Sequence, residues 1–288
     1  MMLPFDRFVA VDWSGAKGPG YGGIAVAECG QGDDAPILVQ PPAKKWRRTD
    51  FADWLANCTQ DGRRRLVGID CAFALPSPTS EAMLGQSHCA WALWAHIDGL
   101  CGDAADFYGG GFAEQADHAP LFWRAGPRPA GFAEHHRATE LACREAGLGA
   151  PESPLKLIGA RQVGKGGLAG MRVLSALKRR LGEDFAVWPF EAADSARIVC
   201  VELYPRLFLR MAGYGNRKVR ILSDLDRCLA ALGAAHYETR DKIVTDHETD
   251  AVIAAAGLRQ IAGMQPVWNP IGLDALARRS EGWIFGVP

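Results

Sequence analysis

The chain has 288 residues, 48% of them hydrophobic, and a net charge of −1. That apolar fraction suits a buried core, and the near-zero charge predicts no overall attraction to a polyanion. No run approaches the roughly 18 apolar residues of a membrane span, so no membrane partner is expected. The opening Met-Met-Leu-Pro-Phe-Asp-Arg does not look like a secretory leader. Eight scattered cysteines without a Cys-x-x-Cys pair point to reduced thiols in a cytoplasm and away from a structural zinc site.

Residues 8–12, 23–29 and 36–40 read as three short strands joined by Gly- and Pro-rich turns, an antiparallel meander. Phe51, Trp54, Leu55 and Cys58 fall at helical spacing over 50–59. Residues 66–70 are apolar throughout, as in a strand covered on both faces. The texture then changes: helices are expected near 88–101, 134–146 and 168–181, around a Gly/Pro/aromatic loop over about 105–132. We read about 77–190 as a mainly helical insertion in a single domain. A fifth strand at 197–203 follows, then helices near 205–212, 220–233 and 246–262, with 283–285 as a possible edge strand. The expected architecture is α/β, a mixed five-stranded sheet with helices on both faces.

Four acids end or enter apolar segments: Asp12, Asp70, Glu202 and Asp250. An Asp at the carboxyl end of a buried strand has its side chain at the rim, where open α/β sheets bind ligands. Singly, each is explained by a turn or a cap. Together they suit Mg²⁺ or Mn²⁺, which take hard oxygen ligands and retain water. Asp246, His247 and Asp250 stand within one turn of a helix. Capping by Thr245 or Asp246 explains one acid there and Asp250 poorly. His247 is read as a metal neighbour, a proton shuttle or a surface histidine.

From Lys156 to Leu181 the charged residues are all basic: Lys156, Arg161, Lys165, Arg172, Lys178, Arg179 and Arg180. Such a run holds phosphates or is a solvated face paired with acids elsewhere; on the first reading Arg161 and Lys165 contact substrate phosphate. A second run is Arg206, Arg210, Arg217, Lys218 and Arg220. The stretch from Gly159 to Gly166 fits Gly-x-x-x-x-Gly-Lys but has glycine where a phosphate-binding loop carries Ser or Thr. Aromatics in the 105–132 loop are read first as anchors to the core and second as stacking platforms for bases.

The first-strand Asp12, the strand-end Asp70 before a Pro-containing loop, the Val-Glu-Leu-Tyr-Pro-Arg run, Val-Trp-Pro-Phe and the Asp-Ala at 250–251 resemble an uncharacterised group of predicted ribonuclease-H-like nucleases, catalogued as a domain of unknown function. The 247–251 run is also similar to the last motif of resolvase-type members of that superfamily. The resemblance implies a ribonuclease-H-like fold and metal-dependent cleavage of phosphodiester bonds in nucleic acid. It also implies Asp12, Asp70 and Asp250 as metal ligands, with Glu202 and His247 as further catalytic residues. Asp12-Trp-Ser14-Gly15 looks loosely like the phosphate hairpin of the actin and sugar-kinase ATPases. An ATP-dependent phosphotransferase is therefore the first alternative, and a non-catalytic scaffold that keeps the fold is the second. Oligomeric state is not legible.

Overall fold

The computed structural model describes all residues except 1–3, 131, 160–162, 216 and 238–244. Its strands are β1 (Arg7–Asp12), β2 (Ala25–Cys29), β3 (Ile37–Leu38), β4 (Arg65–Ile69), β5 (Phe185–Val187) and β6 (Ile198–Glu202). They form one mixed six-stranded sheet in the order β3-β2-β1-β4-β6-β5. The pairs β3·β2 and β2·β1 are antiparallel, while β1·β4, β4·β6 and β6·β5 are parallel. The expected meander is therefore present, but the sheet has six strands rather than five. The extra one, β5, is three residues long, too short for a period-two pattern to reveal. Residues 283–285 add only a parallel bridge between Ile284 and Glu202, with Phe285 N–H donating to the Glu202 carbonyl at 2.9 Å.

Nine α-helices are described: α1 (Arg48–Asn57), α2 (Ser77–Leu84), α3 (Ala90–Cys101), α4 (Ala138–Glu145), α5 (Gly164–Leu181), α6 (Pro205–Met211), α7 (Leu222–Ala231), α8 (Asp246–Ala262) and α9 (Gln265–Trp268). Among the described residues no helix is long and apolar enough to cross a membrane. The 105–132 loop is shaped by short 3₁₀ turns at Ala105–Phe107, Gly110–Glu114 and Ala119–Leu121, and Phe112 and Phe122 anchor it in the core.

Alternation along the strands divides the core into two layers. Phe8, Ala10, Leu66, Val199 and Val201 face the layer built with α6, α7 and α8. Val9, Val11, Val67, Ile69, Ile198 and Cys200 face the layer built with α1, α3 and α5. The segment at about 77–190 thus supplies much of the cover of one sheet face, because β1, β4 and β6 are buried on both sides and need apolar partners on each.

The glycines of α5 set how near that cover comes. A Cβ on Gly170 would lie 2.3 Å from Cys71 Sγ, and one on Gly167 would lie 3.1 Å from the Ala72 carbonyl oxygen. A Cβ on Gly15, in the turn leaving β1, would lie 2.1 Å from the Lys165 carbonyl carbon. The first turns of α5 are therefore pressed against the exits of both β1 and β4, and the Trp13 indole N–H donates to the Gly166 carbonyl at 3.1 Å. The Gly-rich run that fits Gly-x-x-x-x-Gly-Lys without its hydroxyl residue continues, over its described part, into a helix whose glycines serve close backbone packing.

Candidate active site at the carboxyl ends of the strands

Register explains which acids meet. Val11 and Ile69 are partners in the parallel β1·β4 pair, and Asp70 N–H donates to the Val11 carbonyl at 2.9 Å. Asp12 and Asp70 therefore leave neighbouring strands one step later, in phase with Phe8, Ala10 and Leu66, on the α8 side of the sheet. Helix α8 starts through a capping box: the Thr245 hydroxyl accepts from Glu248 N–H at 3.3 Å, and the Glu248 carboxylate accepts from Thr245 N–H at 2.9 Å. Asp246 accepts from Lys218 at 2.7 Å and from Arg220 at 2.9 Å. Cap and ion pairs account for these acids. Asp250, one turn further on, lines with Asp70 a cavity of about 290 Å³ that Trp13, Tyr204, Arg206 and Gly166 also border.

These groups act on one another through their charges. Burial, then the charges of Asp12, Asp250 and Glu202, push the Asp70 carboxyl well above the usual carboxylate range, with Arg206 pulling the other way. Burial, then Asp12, pushes Asp250 up to about 7, against a smaller opposing pull from Lys218. Asp12 is raised by burial and held back by His247, whose Nδ1 lies 2.6 Å from Asp12 Oδ2. That hydrogen bond in turn raises His247, against the cost of its partial burial. The ring's other edge, Cε1 and Nε2, lies 3.6 Å from where a Cβ on Gly23 would stand.

Glu202 is placed differently. It is in register with Ile69, one step out of phase with Asp70, and so points to the opposite face of the sheet. There Arg137 donates to both of its oxygens, at 2.5 and 2.8 Å, and Phe73 N–H adds a bond at 3.1 Å. Arg137 also donates to Glu140 at 2.8 Å through Nε and to the Glu281 carbonyl at 2.9 Å. The Glu281 carboxylate is taken by Ser77 N–H at 2.5 Å and Ala138 N–H at 2.9 Å. Burial, only partly offset by Arg137, raises Glu140 to about 7. Arg137 is itself raised: burial opposes its charge, but Glu140 and Glu202 outweigh that cost. Glu202 therefore borders the cavity as a neutralised, tied-down group.

Sequence reasoning missed Arg137 and Glu140; the one available signal was Arg137-Ala-Thr-Glu140, which forms a reciprocal box at the start of α4. It also missed Arg48. This fully buried guanidinium donates to the Ser14 and Ala16 carbonyls at 2.7 and 3.1 Å and to the Tyr21 hydroxyl at 2.7 Å, fixing the turn that follows Asp12.

The basic segment is mostly a paired face. Lys156 meets Glu152, Arg172 and Arg179 meet Asp98, Lys178 meets Glu191 and Arg180 meets Asp53. Of the two readings of this run, the paired face fits these residues, whose charges are met by acids mostly from other elements. Arg161 lies outside the described residues. Lys165 borders a second cavity instead of the one holding Asp70 and Asp250. Arg206, from the second basic run, borders the acid cavity, as does Arg137.

Among the described residues, no group of three or more His, Cys, Asp or Glu side chains is disposed to hold a metal ion as the side chains stand. Asp12 is turned to His247 and Glu202 to Arg137, which leaves Asp70 and Asp250 as the acids of the cavity wall without a matched cation of their own. Comparison with known proteins gives no relative: no family model, no curated protein and no solved structure matches the chain.

Proposed function

We propose that the chain is a metal-dependent phosphodiesterase of ribonuclease-H-like architecture acting on nucleic acid. The observation that carries the reading is the convergence of Asp70, from a strand end, and Asp250, from a helix, on one cavity, with burial and the charge of Asp12 raising both. The sheet order, with β2 antiparallel between β3 and β1 and with β4 parallel to β1, supports the fold assignment. Such a cluster destabilises the fold unless a cation relieves it.

The donors suit Mg²⁺ or Mn²⁺. Mg²⁺ is commonly held by one or two carboxylates, several waters and the substrate's phosphate, so Asp70 and Asp250 are a sufficient protein share, with Asp12 beside them. When bound, the ion supplies a water of lowered pKa and neutralises charge on the departing oxygen. The chain's own groups do the rest. Asp12 holds the His247 ring through Nδ1, leaving Nε2 to accept or return a proton. Arg206 adds positive charge where a phosphate would lie. Arg137, through Glu202, keeps the rim between β4 and β6 fixed, so the acids approach substrate without rearranging.

The test is hydrolysis of bis(p-nitrophenyl) phosphate and of end-labelled oligonucleotides in Mg²⁺ or Mn²⁺. Asp70→Asn and Asp250→Asn should each lower the rate by about two orders of magnitude or more, with an unchanged circular dichroism spectrum. A rate in either variant equal to that of the unaltered chain, or an equal rate in EDTA, would exclude the assignment.

A further inference from the structure

The second cavity lies on the other side of the first turn of α5. It has a volume of about 570 Å³ and is bordered by Phe122, Arg124, Pro129, Leu157, Lys165 and Glu114. Val163 and Gly166 border the acid cavity while Lys165 borders this one, so a single helical turn separates the two. The charges here differ from the rest of the basic segment. Lys156, Arg172, Lys178, Arg179 and Arg180 are paired with acids, and Arg128 in the neighbouring loop is paired with Glu134. Lys165 and Arg124 make no ion pair with any described residue, and both open onto this cavity. Its remaining wall is apolar: Phe122 and Leu157 are buried in the core behind it. Glu114 is the one acid on its border.

We propose that this cavity binds a nucleotide unit of a single-stranded nucleic acid, with Lys165 and Arg124 on its phosphates and the apolar wall against its base. Two unpaired cations beside an apolar wall match the two surfaces of a nucleotide, an anionic backbone and a π-face. The volume falls in the range of pockets that enclose small organic groups. It admits an unstacked nucleotide and excludes a duplex, whose paired bases cannot leave the stack without a cost of a few kcal/mol. A strand lying across the first turn of α5 places a neighbouring phosphodiester at the acid cavity. The inference rests on the phosphodiesterase reading for what happens to the strand, while the binding itself is separable from it.

The experiment is therefore a binding titration in EDTA, where no metal-dependent turnover intervenes. Fluorescein-labelled dT₁₂ and a 12-base-pair duplex are titrated at 50 and 200 mM salt against three proteins. These are the unaltered chain, Lys165→Ala/Arg124→Ala, and Lys44→Ala/Arg63→Ala, which removes the same charge from exposed residues that do not border the cavity. The expected result is tighter binding of the single strand than of the duplex. The first double variant should lose about 10-fold in affinity for the single strand, and its salt slope should fall by about 1.4, for two phosphate contacts. The control pair should stay within about 2-fold of the unaltered chain. Equal losses in both double variants, duplex bound as tightly as single strand, or no binding of dT₁₂ at 50 mM salt would each overturn the proposal. Saturable binding with loss of hydrolysis in Asp70→Asn would keep both readings, whereas binding without any hydrolysis would leave this one standing alone.

Discussion

Two groups of acids reach the same cavity, Asp70 and Asp250 from one and Glu140 and Glu202 from the other, and could hardly be treated more differently. Around Arg137, the carboxylates of Glu140, Glu202 and Glu281 receive a guanidinium or backbone N–H groups, and all four side chains are buried. Across the sheet, beyond burial, the charges of Asp12 and Asp250 push Asp70 up and that of Asp12 pushes Asp250 up, with relief from Arg206 at Asp70 and from Lys218 and His247 at Asp250. Burying charge is tolerable when it is paired and hydrogen-bonded. The Arg137 group meets that condition and so reads as scaffold. The aspartate group does not, and an uncompensated cluster persists at a cavity only where something outside the chain completes it.

The largest effect expected from breaking this contrast is at Arg137. Arg137→Met leaves Glu140 and Glu202 buried without their cation, and should cost about 3–5 kcal/mol in chemical denaturation. Adding Glu140→Leu and Glu202→Leu should recover a good part of that, since apolar replacement of a whole buried ion group is often neutral. A single variant that loses less than about 1 kcal/mol would mean that the guanidinium does not hold the rim.

The aspartate group should respond in the opposite sense. Mn²⁺ or Mg²⁺ at about 100 times its dissociation constant should stabilise the chain by about 2.7 kcal/mol, read as a rise in Tm over EDTA. Asp70→Asn should abolish that rise and, in EDTA, melt above the unaltered chain because one repelling charge is gone. If Asp70→Asn melts lower in EDTA and still responds to metal, the two acid groups are not different in kind.

A finer probe is the pH dependence of Glu140. Its folded value of about 7 lies above the ordinary 4.5, so the folded chain binds this proton more tightly than the unfolded chain. The stability it contributes is fully present below 4.5 and is lost as pH rises through 7, with a slope of at most about 1.4 kcal/mol per pH unit. Subtracting the stability of Glu140→Gln from that of the unaltered chain over this range should leave a difference that declines with pH. A flat difference would show that Arg137 keeps Glu140 ionised throughout.

The smallest effect is at the surface. Arg180 and Asp53 are both substantially exposed, and Arg180→Ala should change stability by less than about 1 kcal/mol. It should not alter affinity for dT₁₂, in contrast to the pair that borders the second cavity.

How far the sequence could be read follows from the same geometry. Asp12 and Asp70 were legible as strand-end acids because apolar runs stop at them. The face each acid chooses was not, since β1, β4 and β6 are buried on both sides and show no polar alternation to fix the phase. Glu202 therefore looked equivalent to Asp70 although it points the other way. Asp250 stood out because Thr245 already caps α8. The basic run left two readings open, phosphate strip or paired face, because partners such as Asp53 and Asp98 come from elements far away in sequence. Arg137 gave almost no local sign: its importance comes from Glu202 and Glu281, which only the tertiary fold brings to it.

The close approach of α5 also limits how the chain can be shortened. Residues 77–190 look detachable in a linear map, but they roof the side of the sheet lined by Val9, Val11, Val67 and Ile69 and supply the acceptor for the Trp13 indole. Excising them would not yield a smaller version of the same protein. It would strip one side of a parallel sheet to water, the condition such sheets do not tolerate, and would release the turn that aims Asp12. A truncation series should accordingly show loss of soluble protein rather than graded loss of function.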